Sequence, residues 1–302
     1  PHGFCSGVDR AVRTAEAVLA QASGEVVYCL NEIVHNRQVV ARLRALGMSF
    51  VHSVEEVPDG ERLLFSAHGV APAVREQARN RRLRVIDATC PFVAKVHAEV
   101  RRFAAQGAIV VCIGHRRHEE VAGVAGEAPE HVRVVENAAE AEALDLRADA
   151  SVAVVTQTTL GGEQVDVVMR VLKRRFPALL IPSSTDICYA TRNRQQAVRL
   201  LARRCERVLV LGSANSSNSQ RLAETARKEG VEAVLVSEPE EVDACHWDSV
   251  RAVGITSGAS TPEAFLEEVV RVLRERYGFP APETLRAVEE ESPEFALPAL
   301  TA

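Results

Sequence analysis

Aromatic side chains are scarce in this 302-residue chain: one Trp, three Tyr and nine Phe, together 4% of the residues. No apolar run approaches the ~18 residues that a membrane-spanning helix needs, and the first residues carry no apolar signal segment. A basic stripe is missing as well. The net charge is -5 with both signs well mixed, which argues against a general nucleic-acid binder, because such a surface displaces counterions with clustered Lys and Arg. No acidic or basic tail stands out. Paired C-x-x-C knuckles are absent, and the seven cysteines, an odd number, lack the dense spacing of a secreted disulfide scaffold. They read as reduced thiols or metal ligands. These absences leave a soluble globular protein, expected in the cytoplasm, with neither membrane nor nucleic acid as partner. Because the first residue is Pro1, a few residues are expected to be missing ahead of it.

Against this background Val, Ala and Leu dominate, and apolar residues make up 47% of the chain, ample for a buried core. Short continuous apolar runs alternate with longer patterned stretches, the signature of an α/β protein with mainly parallel sheets. In the first third, strands are predicted at Glu25–Leu30, Arg62–Ser66 and Leu83–Asp87, with helices at Gln38–Leu46 and Ala71–Arg81. In the second, a helix is predicted at Val93–Ala105 and strands at Ala108–Ile113, Val132–Val135 and Ser151–Thr156. A helix then follows Gly161-Gly162, with Val165, Val168, Met169 and Leu172 at i, i+3, i+4 and i+7. In the third, helices are expected at Asn193–Arg204, Gln220–Glu229 and Pro262–Tyr277, and strands at Arg207–Leu211, Ala233–Val236 and Arg251–Thr256. The pattern divides the chain into three similar α/β domains, residues 1–90, 91–187 and 188–279. From 280 to 302 the prolines at 280, 282, 293 and 298 break helical periodicity, and an extended tail folding back on the body is expected.

Three cysteines hold equivalent places in those domains: Cys5 in Phe4-Cys5-Ser6-Gly7-Val8, Cys90 in Asp87-Ala88-Thr89-Cys90-Pro91, and Cys188 in Asp186-Ile187-Cys188-Tyr189-Ala190-Thr191, at intervals of 85 and 98 residues. Each is followed by a stretch that reads as an amphipathic helix, so each thiolate would sit at a positive helix end. Three thiolates from separate domains match neither a zinc knuckle nor a compact ferredoxin run. They suit an iron–sulfur cluster with three protein ligands and one open iron. Cys29 and Cys112, inside apolar strands, read as core residues, as does Cys205 on an apolar face beside Ala197, Val198 and Leu201. Cys245 beside His246 also reads as structural.

Two predicted strands in each domain end in small or polar loops: 31–36 and 66–70, 114–120 and 156–160, 212–219 and 256–260. Ligands of parallel sheets bind just beyond the carboxyl ends of strands, so the six loops and three cysteines would line one central cleft. His35 and His68 each fall just past a strand, where a lone histidine is more often a hydrogen-bonding residue than a ligand. Gly212-Ser213-Ala214-Asn215-Ser216-Ser217-Asn218-Ser219 is more specific, because small hydroxyl and amide residues between strand and helix make an anion cradle. Thr256–Pro262 repeats the idea, with an ordinary helix cap as competitor. In Gly114–Glu120 the order is H-x-x-H-E-E and not the zincin H-E-x-x-H. A carboxylate beside a histidine there reads as a proton-delivery pair, with the hydroxyls of Thr156–Thr159 able to hold the acid.

Together with His35-Asn36-Arg37, Ser66-Ala67-His68-Gly69, Thr156-Gln157-Thr158-Thr159, Ser216-Ser217-Asn218-Ser219 and Gly258-Ala259-Ser260, the three cysteine segments closely resemble the 4-hydroxy-3-methylbut-2-enyl diphosphate reductase family, which closes the methylerythritol phosphate route to isoprenoids. The resemblance spans essentially the whole chain. It implies a pseudo-threefold trefoil around a central 4Fe-4S cluster, one per chain, held by Cys5, Cys90 and Cys188, with the open iron taking the substrate hydroxyl. His35, His68, Ser216, Asn218 and Ser260 would bind the diphosphate, with Ser217 alongside. His118, Glu120 and Thr158 would lie near the hydroxyl, Glu120 as proton donor. An external one-electron carrier of ferredoxin or flavodoxin type would supply two electrons, and the hydroxyl would leave as water through an allyl-type intermediate. Isopentenyl and dimethylallyl diphosphate would be the products. The chain departs from the family at Glu119, where a proline is usual.

Two other classes compete on the same residues. A non-redox iron–sulfur dehydratase acting on a phosphorylated substrate would use the open iron but no reductant. A non-catalytic phosphosugar-binding module would need only the α/β pattern and the Ser-rich loop. Colour and reductant dependence separate the three.

Overall fold

Every strand pairing among the described residues is parallel. The computed structural model describes residues 2–285 and 293–300. In chain order it contains α1 (Ser6–Gln21), β1 (Val27–Leu30), α2 (Arg37–Ala45), β2 (Met48–Val51), β3 (Arg62–Phe65), α3 (Pro72–Asn80), β4 (Arg84–Asp87), α4 (Pro91–Ala105), β5 (Ile109–Ile113) and α5 (Glu119–Ala125). There follow β6 (Val132–Val135), α6 (Ala138–Glu142), β7 (Val152–Thr156), α7 (Gly162–Arg175), α8 (Tyr189–Ala202), β8 (Arg207–Leu211), α9 (Ser217–Lys228), β9 (Glu232–Val236), β10 (Val253–Ser257) and α10 (Glu263–Tyr277). No helix among the described residues is long and apolar enough to cross a membrane.

The strands form three sheets, ordered β2-β1-β3-β4, β6-β5-β7 and β10-β8-β9. One pattern recurs. The first strand of each sheet lies inside, the second pairs on one side of it and the third on the other, with β4 added beyond β3 in the first sheet. The loops leaving the first and third strands therefore emerge side by side at the carboxyl edge and then part in opposite directions, which opens a crevice between them. These are the same six loops singled out from the sequence.

The chain divides into two compact units. One comprises Arg10–Val34, Leu43–Cys188 and Phe295–Ala302, and carries the first two sheets; the other comprises Pro1–Asp9, His35–Arg42 and Tyr189–Glu294, and carries the third. In the larger unit, strand alternation splits β5 between two cores. Val110 and Cys112 face Val96, Val100 and Phe103 of α4, while Val111 and Ile113 face Val165, Val168 and Leu172 of α7. In the smaller unit Leu209 and Leu211 of β8 pack on Phe265, Val269 and Leu273 of α10. Val208 and Val210 turn the other way, onto Val198 of α8 and Leu222 and Ala226 of α9. Cys29 and Cys112 are buried strand residues whose thiols are pushed far above the ordinary range, first by burial, and that matches their reading as core.

Beyond small shifts at element ends and the short α6, which was not expected, three elements differ from the sequence expectation. The helix after Cys188 starts at Tyr189, four residues before Asn193, because its first buried face is polar: Thr191, Arg194 and Gln195 lie inward with Ala190 and Val198. Apolar periodicity cannot register such a face. Strand β2 was not expected, since Met-Ser-Phe-Val at a sheet edge is only half covered. Nor was α5, which is seven residues long, contains Gly123 and starts inside the charged 114–120 loop. In the tail, Phe279 packs edge-on against Trp247, Ala296 accepts a hydrogen bond from Arg10 Nε at 2.8 Å, and Phe295 packs edge-on against Phe92. Residues 286–292, part of the segment expected to fold back, lie outside the described residues.

A polar knot joins α4 to the end of β7. Asp186 accepts the Thr156 N–H at 2.9 Å and Lys95 Nζ at 2.8 Å, and Lys95 also lies 3.4 Å from Glu99 one turn further along α4. Burial, reinforced by the charge of Asp186, pushes the Glu99 carboxyl up to about 7 from 4.5. Between those two values the folded chain holds a proton that the unfolded chain releases, so stability falls as pH rises through this window. Glu99→Gln, which cannot ionise, should flatten that slope and match or exceed the parent protein at its upper end. Thermal melts across the window check this, and an unaltered slope would count against it.

Candidate functional site

In the larger unit the loops after β3, β5 and β7 form one connected set of polar groups. Glu120, in the first turn of α5, is 2% exposed and accepts from Thr158 twice: from its N–H at 2.7 Å and from its Oγ1 at 3.1 Å. The Thr158 carbonyl in turn accepts the Cys188 N–H at 3.1 Å. His118 caps α5 by accepting the Glu120 N–H on Nδ1 at 3.2 Å, which assigns the proton of the neutral ring to Nε2. Its ring meets His68 edge-on at 5.7 Å. His68 Nδ1 lies 3.0 Å from Glu119 and 3.2 Å from Ser66 Oγ. The two adjacent carboxylates thus part company, Glu119 toward His68 and Glu120 toward Thr158. A helix start explains this, because successive residues there point about 100° apart.

Two of the cysteines join the same set. Cys90 caps α4, has Pro91 in the first helical turn, and donates its N–H to the Ala67 carbonyl at 3.0 Å, next to His68. Cys188 immediately precedes α8. Behind the His68 loop stands buried His97, whose Nδ1 is 2.6 Å from Glu127. Burial alone would raise the Glu127 carboxyl, but the His97 and Arg101 contacts hold it below the usual glutamate range. Gly69 is required here: a Cβ would fall 2.9 Å from His97 Nε2, and its φ of 74° disfavours any side chain.

In the smaller unit the loops after β8 and β10 carry the remaining residues. Ser216 caps α9 and accepts the Ser219 N–H and hydroxyl at 3.4 and 3.1 Å. Asn218 is 5% exposed, and neither its amide nitrogen nor its amide oxygen has a hydrogen-bond partner. A buried amide left in that state costs free energy unless a ligand completes it. Ser217 is buried beside it. Ser260 donates to the His35 carbonyl at 3.0 Å, and the Ser213 hydroxyl accepts the Arg37 N–H at 3.0 Å. Cys5 immediately precedes α1 and donates its N–H to Ala259 at 3.0 Å, one residue before Ser260. Arg194, fully buried, donates to the carbonyls of Ser257 at 2.7 Å and Gly3 at 2.9 Å, pinning the segment that leads into Cys5.

The expected site residues therefore fall into two networks. His68, Cys90, His118, Glu120, Thr158 and Cys188 are linked within the larger unit. Cys5, His35, Ser216, Ser217, Asn218 and Ser260 lie on adjoining loops of the smaller. Sequence reasoning missed Gln157, whose Oε1 accepts the His115 N–H at 3.0 Å and whose Nε2 donates to Thr159 at 2.9 Å, joining the β5 and β7 loops. It also missed Lys95 and Arg194, for which no motif spacing gives a signal. Cys5, Cys90 and Cys188 are half-buried, each directly ahead of a helix with its N–H held by a carbonyl, whereas the strand cysteines Cys29 and Cys112 are fully buried; each of the three environments suits a thiolate ligand of the kind that holds an iron–sulfur cluster.

Residues 1–274 match the family described as LytB protein. Among curated proteins, the 4-hydroxy-3-methylbut-2-enyl diphosphate reductase of Acidothermus cellulolyticus is 50% identical over 299 residues, covering 99% of this chain and 87% of its own. The protein named 4-hydroxy-3-methylbut-2-enyl diphosphate reductase 2 of Mycobacterium tuberculosis is 48% identical over 300 residues, covering 99% and 88%. The solved E-1-hydroxy-2-methyl-but-2-enyl-4-diphosphate reductase of Plasmodium falciparum superposes with a TM-score of 0.95 at 36% identity, over 99% of this chain and 93% of that one. These likenesses define an α/β oxidoreductase built on parallel sheets. The chain belongs to the LytB protein family.

Close packing around Ser219 offers a direct check of the smaller network. A Cβ on Gly258 would fall 2.1 Å from Ser219 Oγ, and one on Gly212 would fall 2.3 Å from it. Gly258→Ala should cost about 1–3 kcal/mol of stability through overpacking. Adding Ser219→Ala should recover most of that loss, leaving the double variant close to Ser219→Ala alone in urea titrations.

Proposed function

We propose that this protein reduces 4-hydroxy-3-methylbut-2-enyl diphosphate, removing its hydroxyl as water and yielding isopentenyl and dimethylallyl diphosphate. Two electrons and two protons balance the step: one C–O bond breaks, one C–H bond forms and the oxygen departs as water. The observation that carries the reading is the Glu120–Thr158–Cys188 chain, in which a buried carboxyl group and the backbone N–H of a cysteine are both bonded to one residue. The names of relatives up to 50% identical over nearly the full chain support the substrate.

In this reading Cys5, Cys90 and Cys188 hold a 4Fe-4S cluster, one cysteine from each α/β domain. When bound, the cluster supplies electrons one at a time and a Lewis-acidic iron open to the substrate oxygen. The remaining chemistry belongs to the chain. An alcohol is a poor leaving group, so an acid must protonate the departing oxygen, and Glu120 is that acid. Thr158 orients it by donating to both carboxyl oxygens, and its hydroxyl can exchange that bond for one to the substrate. The second histidine, His118, carries its proton on Nε2 and presents a donor beside the acid. Burial of Glu120 excludes bulk water and keeps proton delivery in step with reduction.

The diphosphate is held by His35, His68, Ser216, Ser217, Asn218 and Ser260. The unsatisfied amide of Asn218 at the start of α9 supports this: phosphate oxygens would complete its nitrogen, and the helix end favours negative charge. His68, held by Glu119 at Nδ1, adds a donor at Nε2 in its imidazolium form. Oriented hydrogen bonds, more than Lys or Arg, thus carry the binding. The electron donor is an external one-electron carrier of ferredoxin or flavodoxin type, and the cytoplasm is the setting.

Two outcomes check this proposal. Anaerobically purified protein should be brown, with broad absorption near ~400 nm that Cys188→Ser abolishes; a colourless parent protein that takes up no iron on reconstitution would overturn the cluster. Glu120→Gln should keep colour and diphosphate binding while losing ~100-fold or more in turnover with reduced viologen, in line with loss of a general acid. Full activity in that variant would remove Glu120 from the role, and turnover without reductant would turn the assignment to a dehydratase.

A further inference from the structure

The knot between α4 and β7 touches neither a proposed ligand nor a substrate residue, yet it ties α4, which Cys90 caps, to the segment that leads into Cys188. Asp186 lies two residues before Cys188, and its side chain is only 2% exposed. One carboxylate oxygen accepts the N–H of Thr156, the last residue of β7, and the other accepts Lys95 Nζ. The same ammonium lies 3.2 Å from the Ser184 carbonyl and 3.4 Å from that of Thr185. Three successive residues of the approach to Cys188 thus converge on one ammonium. Lys95 in turn stands on α4 five residues after Cys90, which caps that helix.

We propose that Lys95 and Asp186 are positioning residues that set the Cys188 loop on the Cys90 helix independently of any bound cluster. The inference rests on reading the two cysteines as ligands. Residues 182–188 form neither helix nor strand, so regular backbone pairing does not hold this stretch. Its fixed points are the Lys95 contacts, the Asp186–Thr156 bond, the burial of Ile187 in the core of the second sheet and the Cys188–Thr158 bond. The first two converge on Asp186. The apolar cores on both faces of the second sheet are complete without these groups. Loss of the ammonium would therefore loosen the loop locally and leave the domain folded. A rigid α4 makes the device effective: a helix fixed at Cys90 at one end and gripping Asp186 a turn and a half later transmits position from one thiol to the other. Misplacement of Cys188 would carry further, because its N–H holds the Thr158 carbonyl, and Thr158 holds Glu120.

The test uses the full chain purified anaerobically, one portion as isolated and one stripped of iron by a chelator. In the stripped portion, alkylation by iodoacetamide is followed by mass spectrometry at Cys188 and at Cys245, a half-buried cysteine distant in sequence that serves as reference. In Lys95→Met the Cys188 rate should rise about fivefold or more while the Cys245 rate and the melting temperature stay near the parent values. Lys95→Arg should restore slow modification. In the as-isolated portion, Lys95→Met should release iron to the chelator faster than the parent protein. An unchanged Cys188 rate, or equal acceleration at Cys188 and Cys245, would overturn the positioning role. Should Lys95→Met not fold, Asp186→Asn keeps a carbonyl for the Thr156 N–H, loses the charge that holds Lys95, and is read the same way. A parent protein that binds no iron would instead refute the cluster reading and leave the alkylation result standing, so the two failures are distinguishable.

Discussion

Thr158 commits its carbonyl, its N–H and its hydroxyl to two neighbours, Cys188 and Glu120. Both of those residues are held by what surrounds them. Cys188 follows the loop fixed by Asp186, and Glu120 starts a helix capped by His118. A buried carboxyl group is costly wherever its lone pairs go unmatched, so the threonine both removes that cost and fixes which way the acid faces. A change at any of these positions passes through one residue to the others. That coupling is why the acid and the thiol must be understood together.

The smaller unit follows a different physical rule. Its polar loops end in serine and asparagine side chains at the start of α9 and in the Ser257–Ser260 turn, and the backbone is brought very close there by Gly212 and Gly258. Close backbone approach concentrates N–H groups and short hydroxyls in a small volume. That gives an oriented array of weak donors where a lysine would give one mobile charge. Asn218 lies buried with both polar atoms unmatched, an arrangement that makes sense for a site completed by its ligand. Cys5 is tied to the same turn through Ala259, so the cysteine and the Ser257–Ser260 turn of this unit share one anchor.

Much of the architecture was legible in the residues. The apolar run in Arg207–Leu211 became a parallel strand at those bounds, since a strand covered on both faces needs no alternation. The Val165–Leu172 spacing became α7, and the small-residue loops fell at strand ends as expected. Elements whose inward face is polar were hidden. The first turns of α8 bury Thr191, Arg194 and Gln195, and α5 begins in a run of charges, so neither displays an apolar stripe. The two adjacent glutamates show the same limit. Their order in the chain says nothing of which one is buried, whereas the turn of α5 sends Glu119 to His68 and Glu120 to Thr158.

Composition and order alone determined the parallel α/β class, the three equivalent cysteines and the six loops at strand ends, because hydrophobic periodicity and turn chemistry act over a few residues. Tertiary structure alone decided the partners: Lys95 with Asp186, Arg194 with Gly3, Gly258 with Ser219 and Thr158 with Glu120. Those contacts join residues distant in sequence through hydrogen bonds that carry no periodic signature. They form only once the sheets have brought separate strand ends to a common edge.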